Sequence, residues 1–87
     1  MNHPASTPPG GRRWHDADGT HIDVRGLPAP QPLVAILGLV RDSAGAVIVH
    51  HDRDPQMLYA ELAEIGWRAE RIPAEPGEVR LLLTSAP

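Results

Sequence analysis

The stretch Ile22-Asp23-Val24-Arg25-Gly26-Leu27-Pro28-Ala29-Pro30-Gln31-Pro32-Leu33 carries a strand, its exit and the entrance of a helix. Ile22 and Val24 alternate with His21, Asp23 and Arg25, the period-two pattern of a half-buried strand that ends at Gly26. Pro28, Pro30 and Pro32 fix the local backbone and remove three amide donors, so the connection is stiff. Pro32 suits a first helical turn, and Leu33, Ile36, Leu37 and Val40 then fall at i, i+3, i+4 and i+7 on one face. Asp42-Ser43-Ala44-Gly45 ends this helix and turns the chain.

Further along, Val47, Ile48 and Val49 are apolar on both faces, as an interior strand requires. Asp54 followed by Pro55 reads as an N-cap and first turn, with Leu58, Leu62 and Ile65 as the buried stripe of a second helix closed by Gly66. Trp67 to Ile72 is a third strand; Val79, Leu81 and Leu83 alternate in a fourth, after the turn Glu75-Pro76-Gly77-Glu78. The order βαβαββ predicts an α/β two-layer sandwich: right-handed crossovers place both helices on one face of a four-stranded mixed sheet. In the other direction, Pro4, Pro8, Pro9, Gly10 and Gly11 lie among polar residues without hydrophobic period, so residues 1–19 are expected to form a flexible tail. Trp14 is its only large apolar side chain and reads as either a loosely docked tail residue or a partner anchor.

Composition narrows the function classes. Eighty-seven residues support one domain with a modest core. A weak homodimer would add burial, but nothing in the sequence requires it. The chain has no cysteine, which excludes thiol catalysis, disulfides and cysteine metal sites. Its net charge of -3, the absence of Phe and the scattered arginines argue against nucleic acid as a partner. No run approaches the roughly 18 apolar residues of a membrane span, and Met1-Asn2-His3-Pro4 lacks the apolar core of a secretion signal, so a cytoplasmic location is expected.

The predicted topology gathers Asp23, Arg25, His50, His51, Asp52, Arg53 and Asp54 at the edge where the first two strands end and both helices begin. Asp23 and Arg25 share strand parity and can pair as ordinary surface charges. His50, His51 and Asp52 are a candidate metal set, although adjacent strand residues point to opposite faces, so both histidines reach one ion only if the strand has already turned. One of them can instead pair with Asp52 or meet His21. Solvated, capping or anion-binding roles fit the same residues. Separately, a free amino terminus, two amides and His3 form a potential square-planar Cu(II) or Ni(II) site. Glu61 and Glu64 fall toward solvent, Ser43 and Ser85 have no defensible base, and the glycines lack a phosphate-loop context. No catalytic residue and no cofactor is therefore expected.

Asp23-x-Arg25-Gly26-Leu27-x-Ala29-Pro30-x-Pro32, followed by His51-Asp52-x-Asp54-Pro55, resembles the TusA-like (SirA-like) sulfur-carrier family, in an uncharacterised cysteine-free branch. The likeness runs from about Ile22 to Leu83 and implies a TusA-like domain over residues 20–85. In the carriers a cysteine between the Gly-Leu and Pro-x-Pro elements holds a persulfide; here that position is Ala29. The resemblance thus implies a recognition edge without its sulfur chemistry. The resulting expectation is a non-catalytic accessory domain that binds another protein through Asp23, Arg25, Leu27, Ala29, Pro30, Pro32 and the segment His50 to Asp54. The alternative is a histidine-based metal-binding module.

Overall fold

The computed structural model describes residues 10–86; His3 lies outside them. The chain forms strand β1 (Arg12–Asp16), β2 (Gly19–Asp23), helix α1 (Gln31–Arg41), β3 (Val47–His51), α2 (Gln56–Glu64), β4 (Trp67–Ile72) and β5 (Val79–Ser85). One mixed sheet runs in the order β1-β2-β3-β5-β4, with β2 and β3 parallel and every other neighbouring pair antiparallel. Two helices cover one face. The α/β sandwich expected from the sequence is present, but the sheet has five strands rather than four.

The additional strand is β1, in a stretch expected to belong to the flexible tail. It pairs with β2 from Arg12↔Asp23 to Asp16↔Gly19 across a short turn. Asp16 Oδ1 closes that turn by accepting the Asp18 amide at 2.8 Å. Gly19, at φ +137°, brings its backbone so near β3 that a Cβ would lie 2.7 Å from the Ala46 carbonyl oxygen. A side chain is excluded there on both counts. Because β1 covers its outer side, β2 is an interior strand.

The core lies between sheet and helices. Ile22 and Val24 meet Ile36 and Val40 of α1, Val47 and Val49 of β3, Leu58 and Leu62 of α2, and Leu81 and Leu83 of β5 in one apolar cluster. The central strand β3 is buried along its whole length, as its unbroken apolar start predicts. Two details depart from the sequence reading. Ile65 is 38% exposed because α2 ends at Glu64 and Ile65 is its C-cap. Asp54 does not cap α2; Pro55 holds the N-cap position, while the Asp54 carboxylate accepts hydrogen bonds from the Tyr59 hydroxyl and from Gln56 Nε2. Burial and the Asp54 contact push the Tyr59 hydroxyl up to about 12. Among the described residues, no helix is long and apolar enough to cross a membrane.

Candidate metal centre

Strand parity turns Ile22 toward the core and His21 toward the opposite, helix-free face of the sheet. The parallel pairing of β2 with β3 brings His50 to the same face beside it. Both rings are 8% exposed, unusual for histidines on a face that carries no helix. Their cover comes from β1: Trp14, the cross-strand partner of His21, stacks on its ring at 4.9 Å and tilts over His50 at 5.1 Å. Arg12 in turn lies 5.9 Å above the indole. Trp14 is therefore a built part of the sheet, not a loosely docked tail residue.

A line of polar groups runs beneath this aromatic lid. Arg80 binds both oxygens of Glu78, at 3.1 and 2.7 Å, and Glu78 Oε2 lies 2.5 Å from His50 Nδ1. His50 Nε2 lies 2.8 Å from His21 Nδ1. Hydrogen bonds from Arg80, joined by the one from His50, hold Glu78 down to about 2 against the opposing effect of burial. As a carboxylate, Glu78 accepts the proton of His50 Nδ1, which leaves His50 Nε2 as a lone pair that accepts His21 Nδ1–H. His21 then presents the lone pair of Nε2 at the end of the line.

That nitrogen is buried and without a hydrogen bond. It lies 2.8 Å from Asp16 Oδ2, yet lacks the alignment of a hydrogen bond to it. Asp16 is itself held below the usual carboxylate range, first by the Asp18 amide and further by His21. With Nε2 as a lone pair the two atoms repel unless a cation lies between them, whereas a proton on Nε2 makes the same contact an ion pair with Asp16. The Asp18 carboxylate completes the arrangement: one ligand atom each from Asp16, Asp18 and His21 falls within 4.8 Å of the others.

The histidines singled out in the sequence are divided by the sheet. His50 belongs to the face just described, while His51 points to the helix side, where its Nδ1 accepts the backbone amides of Asp52 at 2.9 Å and Arg53 at 3.3 Å. Burial lowers its basicity. Asp52 supports the neighbouring loop by accepting the Gly26 amide at 3.0 Å, the main cause of its lowered pKa. His50, His51 and Asp52 therefore do not converge on one point. Asp23 and Arg25 do pair, through two hydrogen bonds of 3.0 and 2.9 Å; burial raises the Asp23 pKa, but its bonds to Arg25 outweigh that and the net direction is downward. Leu27, Ala29, Pro30, Pro32, Arg53 and Asp54 lie apart from the Asp16, Asp18 and His21 cluster, around a cleft between the helix N-termini.

Asp16 and Asp18 were not recognised in the sequence because β1 was not. The available signal was Asp18-Gly19, a dipeptide typical of tight hairpins, immediately before the alternating His21 to Arg25 pattern.

Comparison with known proteins corrects the resemblance on which the sequence reading leaned. The family model that matches, over residues 21–85, is described as "Uncharacterized conserved protein (DUF2249)". The TusA-like (SirA-like) assignment is replaced by this one, and the carrier-derived recognition edge loses the basis it had in that assignment. No curated protein matches the chain. The matched segment contains His21, His50 and Glu78, whereas Asp16 and Asp18 precede it.

Proposed function

We propose that this chain, which belongs to the DUF2249 family, is a non-catalytic metal-binding module that holds a divalent cation with Asp16, Asp18 and His21. The observation that carries this reading is His21 Nε2: buried, without a hydrogen bond, and 2.8 Å from a carboxylate oxygen. Donor atoms each about 2.1 Å from a shared ion stand roughly 3 to 3.4 Å apart, so small side-chain rotations bring nitrogen and oxygen to that separation. Two carboxylates balance the charge of a divalent ion, and one imidazole with two carboxylate oxygens suits Zn(II), Co(II) or Mn(II). Water fills the remaining coordination positions, as the exposed Asp16 and Asp18 allow.

The residues behind His21 fit the supporting role that metal-bound histidines require. A ligating imidazole commonly donates its other N–H to an acceptor that fixes tautomer and ring orientation. Here His50 Nε2 is that acceptor, itself oriented by Glu78 and Arg80. Protein docking through the Arg25 to Pro32 and His50 to Pro55 edge has weaker support, because its apolar side chains line a cleft rather than a flat patch.

Isothermal titration of the full chain with Zn(II), in a His3→Ala background that removes the amino-terminal site, tests the proposal. The expected result is one ion per chain, with binding weakened at least about 10-fold in Asp16→Asn/Asp18→Asn. Unchanged affinity in that double variant, with folding retained, removes the hairpin carboxylates from the site.

A further inference from the structure

On the opposite side of the sheet, the N-termini of α1 and α2 flank a cleft of about 300 Å³. Leu27, Leu33, Ile36 and Leu58 give it an apolar lining, with Pro30 and Pro55 at the helix starts. Neither helix has a side-chain cap, and neither has an acidic residue in its first turn. Within this lining sits His51, only 3% exposed.

The polarity of His51 follows from its neighbours. Two backbone amides occupy Nδ1, and burial favours the neutral ring, so the ring proton resides on Nε2. Asp52 Oδ1, 3.2 Å from Nδ1, takes its hydrogen bond from Arg53 Nε. Among the described residues nothing accepts from Nε2–H. Nε2 is not fully sealed from solvent and His51 lines the apolar cleft, so its N–H is open to a ligand's polar group, the arrangement by which small-molecule sites orient a ligand.

We propose that this cleft binds a compact apolar molecule through a neutral carbonyl oxygen that accepts His51 Nε2–H. The volume admits on the order of ten water-sized groups, which suits a ligand of about eight to ten heavy atoms. A carbonyl is favoured over a carboxylate by the local charge. Asp52 already matches Arg53, and Asp54 adds a further negative group to the lining. Uncapped helix N-termini favour the charged oxygen, but Asp54 in the lining and the cost of desolvating an ion against apolar walls oppose it. The site is independent of the metal centre, from which the sheet separates it.

Acetophenone, ethylbenzene and benzoate are matched probes: one ring with a carbonyl, no acceptor, or a charged acceptor. In amide and methyl NMR titrations of the full chain, acetophenone is expected to shift Leu27, Leu33, Ile36 and Leu58. It should bind about five- to ten-fold more tightly than either other probe. His51→Phe should bring acetophenone level with ethylbenzene. Because that change also orphans two backbone amides, Ala29→Trp provides a second variant that fills the cleft from an exposed position and should abolish binding of all three. Equal affinities for acetophenone and ethylbenzene in the unmodified chain, tighter binding of benzoate, or shifts outside the cleft would each overturn the proposal.

Discussion

Replacing His21 with alanine lowers Zn(II) affinity by about 100-fold or more. Loss of a partner that merely orients a ligating histidine costs about 10- to 100-fold, and His21 is the proposed ligand itself and the only nitrogen in the set. His15 provides the control. It lies on the same hairpin, is exposed, and contacts Thr20 Oγ1 at 3.0 Å without joining the cluster. His15→Ala should leave the affinity within about two-fold. Trp14 offers a second readout, since its ring stacks on His21 at 4.9 Å and its fluorescence should respond to Co(II) in the unmodified chain and not in His21→Ala. A common loss in both histidine variants would point to hairpin damage instead of ligand removal.

Glu78→Gln should destabilise the fold by about 3 kcal/mol near neutral pH. Glu78 is held at about 2 instead of 4.5, and each unit is worth about 1.4 kcal/mol. The side chain is 3% exposed, so solvent screens the interaction little. A depressed folded-state pKa stabilises the protein above the unfolded value, and that contribution fades as pH falls through the folded value. The stability difference between the unmodified chain and Glu78→Gln should therefore be full above about pH 5 and shrink between about 4.5 and 2. His50 and Arg80 contact the Glu78 carboxylate, and its charge also reaches Arg25. Comparing the two chains by urea unfolding at each pH isolates the Glu78 contribution. A pH-independent difference would mean that shape, not charge, holds this position.

The elements that pack an apolar face against the core were legible in the sequence; β1, which does not, was missed. Val47-Ile48-Val49 announces a central strand because both its faces are covered, and Leu58 and Leu62 mark α2 because only one of its faces is. In β1 every residue is exposed, so hydrophobic alternation had nothing to reveal and turn chemistry alone held the signal. The strand is specified by long-range pairing with β2 and by Trp14 stacking over two histidines distant in sequence. The cluster of Asp16, Asp18 and His21 was hidden for the same reason. Opposite-face alternation separated His50 from His51, and the meeting of one of them with His21 was among the arrangements the sequence allowed. What it did not disclose was the hairpin that brings Asp16 and Asp18 to His21, or Glu78 reaching His50 from the turn before β5.

Long-range 1H–15N correlation of the histidine rings, recorded on the full 15N-labelled chain with and without Zn(II), is the most direct test of the metal centre. Without metal, His50 should carry its proton on Nδ1 and His51 on Nε2. With one equivalent of Zn(II), His21 Nε2 should move to the metal-bound range while His50 keeps its tautomer and His51 stays in place. A His21 Nε2 resonance unmoved by Zn(II), or a metal shift confined to His3 or His51, would contradict the site.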